Sequence, residues 1–257
     1  MSRHGIGGLS VLFFIPVTIC DTSVPLLAHV CDNSPVIFGL NFDLADYFWQ
    51  RAGCLMKNIL KTRAFIWALL ALPSIPMVFA LANGGAAEDG RPVTEFLLHP
   101  TGEFAARFMI IAMIITPFRM MFPKNGFWLW MVRRRRYFGV AAFAYAAFHT
   151  VLYLVDLGAM KAILDEFWDF GIWTGWLAFF VFLPLAVTSN DTSVRLLGRA
   201  WKSLQRLVYL AAVATLLHWM FVHNEFGPAL VHFIPLSLLE AYRLYRTYFS
   251  RSQAAAV

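Results

Sequence analysis

Six stretches of this chain are strongly apolar, at about residues 64–82, 104–118, 137–155, 170–187, 207–222 and 226–241. A helix needs about 20 such residues to cross the hydrocarbon core of a bilayer. The second stretch reaches that length only if it begins near Phe96 and carries Arg107, and the fifth and sixth are short, separated by a tight turn at residues 223–225. Composition points the same way. The chain is 60% hydrophobic and 14% charged, where a soluble domain is nearer half and a quarter. The expected fold is therefore all-α: a polytopic membrane bundle of six transmembrane helices in one domain, residues 56–257.

The charges between the stretches alternate by loop. Lys57, Lys61 and Arg63, then Arg119, Lys124, Arg133, Arg134, Arg135 and Arg136, then Arg195, Arg199, Lys202 and Arg206, then Arg243, Arg246 and Arg251 form one set, 16 of the 21 Lys and Arg residues. The other set holds Arg91 and Lys161 among Glu88, Asp89, Glu95, Asp156, Asp165, Glu166, Asp169 and Glu225. Basic residues stay on the cytoplasmic side, so both ends of the bundle are expected in the cytoplasm. This also assigns the net charge of +6 to topology and anionic lipid rather than to nucleic acid. Residues 1–55 follow neither pattern. They mix Pro, Asp and aromatic residues and resemble neither a signal peptide nor a span. Met56, followed by Lys57, Lys61 and Arg63, is the expected start of the natural chain, with the first 55 residues a poorly structured extension.

Within the bundle, His149 and His218 stand out. His149 lies 12 residues beyond Tyr137 and His218 lies 11 beyond Leu207, depths of roughly 18 and 16 Å at the helical rise. The two helices run in the same direction, so the imidazoles are level, in the outer half of the bilayer. Ionisable residues at such depth face the bundle interior and serve a function. Each alone could be a histidine bonded to a neighbouring carbonyl. As a level pair flanked by Ala141, Ala142, Ala144, Ala146 and Ala147 on one side and Ala211, Ala212 and Ala214 on the other, they read as axial ligands of heme iron, with room for a flat macrocycle. His99, before Pro100-Thr101-Gly102, reads equally as a site residue or a helix cap. His223 and His232 read as solvated or packing residues, and Trp128, Trp130, Trp168, Trp173, Trp201 and Trp219 as an interfacial belt. The three cysteines, Cys20, Cys31 and Cys54, show no CxxC or CxxCH spacing, which leaves c-type heme and iron–sulfur clusters without support. No GxGxxG occurs and the tail after Ala241 is 16 residues, so electrons entering from the cytoplasm would need another molecule to bring them.

Several motifs carry a family resemblance. They are Leu98-His99-Pro100-Thr101-Gly102, Ile115-Thr116-Pro117, Arg135-Arg136-Tyr137-Phe138-Gly139 running to Phe148-His149, Leu185-Ala186-Val187-Thr188-Ser189, Leu197-Gly198-Arg199-Ala200-Trp201-Lys202-Ser203-Leu204, and Leu207-Val208-Tyr209-Leu210 leading to His218. In order and spacing, from about Met56 to Arg246, the chain resembles the ferric-reductase-like transmembrane family. Within it, the chain is most similar to heme-binding membrane subunits of bacterial periplasmic methionine sulfoxide reductase systems (the MsrQ or YedZ family). The resemblance implies an inner-membrane b-type cytochrome with heme iron on His149 and His218, and His99 as a further family histidine. It implies electrons passing from a cytoplasmic flavin reductase, with FMN, or from membrane quinol, to a periplasmic molybdopterin-containing reductase that repairs oxidised methionine. The chain would be the electron-transfer subunit and not the catalytic one. One position departs: Gln205 stands where the family usually has another histidine, so a second, cytoplasmic heme is not supported. The alternatives are a stand-alone ferric reductase and a cofactor-free transporter or packing subunit.

Overall fold

A computed structural model describes residues 62–84, 90–223 and 226–255. The chain divides into residues Met1–Gly53 and Cys54–Val257. The expected extension, its start at Met56, the three cysteines and most of the turn at residues 223–225 lie outside the described residues.

Every described element is a helix. The first apolar stretch forms two, α1 (Arg63–Ala71) and α2 (Ser74–Asn83), bent by 51° at their junction. Pro73 sits at the bend, and proline supplies no N–H to a helical ladder. The Tyr145 hydroxyl donates to Leu70 O (3.1 Å) and Ser74 Oγ to Ala71 O (2.7 Å), so carbonyls next to the break are satisfied by side chains. α3 (Val93–Met121) is longer than the apolar pattern alone suggests and does carry Arg107. The guanidinium there is held by Glu103 one turn back and by His232 from the last helix, which offsets a charge that would be costly at this depth. α4 (Gly126–Leu157) follows after Asn125, whose side chain accepts from Phe127 N–H, and ends at Gly158 with φ +63°, the left-handed backbone that glycine enters without a Cβ clash.

After the short α5 (Met160–Glu166), α6 (Phe170–Val187) is capped by Asp169, which accepts from Gly171 N–H. α7 (Asp191–Leu197) and α8 (Arg199–Gln205) lead into α9 (Val208–His223) and then α10 (Phe226–Ala255). α3 packs along α4, α6 along α9, α10 against α3, and α4 touches α6, so α3, α4, α6 and α9 surround a common interior.

Among the described residues, four helical segments are long and apolar enough to cross a membrane: Val93–Met121, Gly126–Leu157, Phe170–Val187 and Arg199–Val222. The bent α1–α2 pair makes a fifth if counted as one span. The sixth expected stretch is helical, but α10 continues past Ala241 through Arg243, Arg246 and Arg251. Its apolar part is short, and it does not qualify as a span by length and composition.

Candidate functional site

The two level histidines meet. The rings of His149 on α4 and His218 on α9 lie 6.1 Å apart between centroids, with their planes at 81°. Each is backed in the same way by the neighbouring helix. His149 Nδ1 donates to Leu98 O on α3 (2.9 Å), and His218 Nδ1 donates to Gly171 O on α6 (2.7 Å). A carbonyl can only accept, so in both rings the proton sits on Nδ1 and the lone pair on Nε2.

Four residues after each carbonyl, one helical turn on, stands a glycine on which the ring rests. A Cβ at Gly102 would come within 3.2 Å of His149 Nδ1 and Cε1. A Cβ at Gly175 would come within 2.6 Å of His218 Nδ1 and 2.7 Å of its Cε1. Before each glycine is a threonine, Thr101 or Thr174, at 0% and 1% exposure. The hydroxyl of Thr101 donates to Leu97 O (2.7 Å) and Leu98 O (3.0 Å), and that of Thr174 to Gly171 O (2.8 Å) and Phe170 O (3.0 Å). α3 and α6 thus present the same local device to α4 and α9: a carbonyl, then a threonine and a glycine one turn later.

Both histidines line one cleft of about 950 Å³, its open mouth included. Ala105, Ala106, Ala146 and Ala178 keep its walls back, and Trp176, Phe179, Phe182 and Trp219 make them aromatic. His99 also lines the cleft but is exposed at its rim, and Glu103 lines it on the same helix. Among the described residues, no three His, Cys, Asp or Glu side chains come together as a metal-binding group. The structure brings His99, His149 and His218 to one cleft, and the close pair is His149 and His218.

One expectation changes. Trp219 does not belong to an interfacial belt. It is 6% exposed, lines the cleft and lies against the His232 ring at 5.3 Å. His232 takes a packing role, bonded to Pro228 O and to Arg107. Sequence reasoning missed the backing role of Thr101, Gly102, Thr174 and Gly175. The available signal was the Thr-Gly dipeptide that occurs in both α3 and α6.

Toward the basic end, polar side chains are joined in a hydrogen-bonded network. Gln205 Nε2 donates to Leu185 O (3.1 Å) and Thr188 Oγ1 (3.2 Å), and Trp201 Nε1 donates to Thr188 O (2.9 Å). Glu240, 8% exposed, receives Arg243 (2.9 Å) and the Tyr209 hydroxyl (3.2 Å), and Arg135 donates to Thr116 Oγ1 (3.2 Å). At the surface, Arg136 pairs with Asp191, which holds the Asp191 carboxyl below the usual carboxylate range.

The class the structure defines is a helical membrane bundle with a histidine pair facing across its interior. Residues 101–216 match the family described as ferric reductase like transmembrane component. The chain is 37% identical over 191 residues to the protein-methionine-sulfoxide reductase heme-binding subunit MsrQ of Rhizobium meliloti (strain 1021), covering 72% of this chain and 86% of that protein. It is 30% identical to the MsrQ of Brucella ovis, over 74% and 86%. The chain belongs to the MsrQ family. No solved structure matches it.

Proposed function

We propose that this chain is the heme-bearing electron carrier of a methionine sulfoxide reductase system. In this reading it is a six-helix b-type cytochrome of the bacterial inner membrane, both ends of its bundle cytoplasmic, with one heme b between His149 and His218. Electrons arrive from a cytoplasmic flavin reductase, with FMN at the basic end, or from membrane quinol. They leave to a periplasmic molybdopterin-containing reductase, and this subunit does not itself touch methionine.

The observation that carries the proposal is the matched backing of the two rings. A metal–imidazole bond is about 2 Å, as at zinc, and the ring centroid lies roughly 1 Å further on. Two imidazoles on one ion therefore stand about 6 Å apart, and the rings here are separated by 6.1 Å. The Nδ1–H bonds to Leu98 O and Gly171 O direct both Nε2 lone pairs to ligation, as ligating histidines generally require. Neutral imidazoles add no net charge to the apolar interior. Bound heme supplies reversible one-electron chemistry at iron. The protein's part is to orient the two ligands, keep water out with the aromatic and alanine walls, and present His99 and Glu103 at the rim. The MsrQ relatives are named as heme-binding subunits, which supports the same assignment.

Reduced-minus-oxidised absorbance spectra of the purified protein test it. Wild type should show b-type bands at one heme per polypeptide, and His149→Ala and His218→Ala should each abolish them. Absent bands in wild type, or undiminished bands in both variants, overturn the proposal.

A further inference from the structure

An imidazole bound to a metal through Nε2 can still turn about that bond, so ligation alone does not fix the plane of its ring. Here each plane is fixed from behind. His149 Nδ1–H is tied to Leu98 O on α3 (2.9 Å), and His218 Nδ1–H to Gly171 O on α6 (2.7 Å). The same edge of each ring then lies against a glycine of the same helix. The atoms nearest a Cβ at Gly102 are His149 Nδ1 and Cε1, both at 3.2 Å, and those nearest a Cβ at Gly175 are His218 Nδ1 and Cε1, at 2.6 and 2.7 Å. A ring that turned about its Nε2 axis would swing this edge off the glycine and pull Nδ1–H from its carbonyl. The two planes so fixed stand at 81° to each other, close to perpendicular.

We propose that Leu98 and Gly171, through their carbonyls, and Gly102 and Gly175, through the missing Cβ, are positioning residues that hold the two heme ligands crossed, and that this crossing sets the electronic state of the iron. The inference rests on heme ligation by the two histidines. The physical link is orbital. Each imidazole presents a filled π orbital perpendicular to its own plane, and that orbital acts on one of two iron d orbitals. Parallel rings act on the same d orbital and split the pair. The electron missing in the ferric state then comes from the raised member, which stabilises that state. Crossed rings act on one orbital each and leave the pair nearly equal in energy. The ferric state loses that stabilisation, and the reduction potential rises relative to parallel rings. Orientation imposed by α3 and α6 is thus a lever on the potential in addition to ligand identity and burial.

The test is low-temperature EPR of the purified, heme-loaded ferric protein. Wild type should give the single broad low-field line of low-spin iron with nearly equal d orbitals. Three resolved lines of the rhombic type, the signature of near-parallel ring planes, would overturn the proposal. Gly102→Ala tests the positioning role. Its Cβ would press on the whole backed edge of His149 at 3.2 Å, so the ring must turn or tilt, and the low-field line of the heme that is retained should shift. Gly139→Ala stiffens α4 equally but places its Cβ in open space, and its line should stay at the wild-type position. A line unmoved in Gly102→Ala, or moved as far in Gly139→Ala, would overturn the role given to the glycine. If ferric wild type shows no low-spin signal at all, the reading of function fails instead. A rhombic low-spin signal leaves that reading standing and removes only the crossed planes, so the two failures are distinct.

Discussion

The histidine level and the basic end of this bundle both hold polar side chains among the helices, yet one opens on a cleft and the other is tied into a hydrogen-bonded network. At the histidine level, the polar side chains bond to backbone on neighbouring helices and rest on glycine, so space remains between the rings. At the basic end, the polar side chains bond to one another and to the facing helix. Gln205 joins α8 to α6, Tyr209 and Arg243 close on Glu240, and Arg135 reaches Thr116. The contrast shows that polarity inside a membrane bundle does not by itself make a cofactor site. Carbonyls of a neighbouring helix accept side-chain bonds at both ends; what separates the ends is the missing Cβ at Gly102 and Gly175, against which the two rings lie.

The largest effect should come from filling the gap at the histidine level. In Gly175→Ala the new Cβ would fall 2.6 Å from His218 Nδ1, inside any tolerable contact, so the ring must tilt and its bond to Gly171 O must break. Loss of such a supporting bond costs a metal site about 10- to 100-fold in affinity. Heme retained through purification, measured per polypeptide, should fall by at least about tenfold. Alanine is the better helix former by about 1 kcal/mol, so the helix itself gains and the loss reports the ring. Gly102→Ala, with its contacts at 3.2 Å, should cost less because His149 needs to yield only slightly. Equal losses from the two glycines would show that the backing is not graded by contact distance.

That asymmetry was not readable in the sequence. His149 and His218 announced themselves because imidazoles are rare in apolar stretches, and helix periodicity was enough to put them at one depth. Thr101, Gly102, Thr174 and Gly175 did not, because threonine and glycine in a span also serve ordinary close packing. Only the position of the facing ring assigns them a role. Arg107 was legible as a charge that needed an answer, but its partner His232 lies 125 residues away and no local pattern predicts that pairing. The bend between α1 and α2 was not anticipated in a stretch read as one span, and nothing local indicated that Tyr145, from α4, would satisfy the break. The helical class and the principal helices were legible because burying apolar length in lipid leaves few alternatives.

A middle-sized effect should sharpen the comparison from the basic end. Gln205→His introduces an imidazole at the level where a second ligand pair would sit. The opposing positions on α4, spaced from His149 as Gln205 is from His218, are occupied by Arg135 and Arg136, the first bonded to Thr116 and the second to Asp191. No facing imidazole exists there to complete a pair. The heme-to-polypeptide ratio should therefore stay at the wild-type value. Losing the amide bonds to Leu185 O and Thr188 should lower thermal stability in detergent by about 1 kcal/mol. A doubled heme content would break the comparison, since it would mean the basic end was one side chain short of a site.

The smallest effect belongs to the surface pair at that end. Asp191 is fully exposed, and its carboxyl is held below the ordinary range first by the Arg136 hydrogen bond and then by that residue's charge. A carboxyl depressed on folding adds stability that is present above its unfolded value of about 3.9 and is lost as pH falls through the lower, folded value. Wild type should therefore be the more stable protein at neutral pH, and the difference from Asp191→Asn should vanish in acid, below that range. Exposed pairs are screened by salt, so raising ionic strength at neutral pH should narrow the same difference. Thermal unfolding of both proteins across pH and salt would check this. A gap that persists unchanged in acid would show that the charge of Asp191, and with it the pairing with Arg136, is not what stabilises this end. The basic end would then be fastened by its interior network alone.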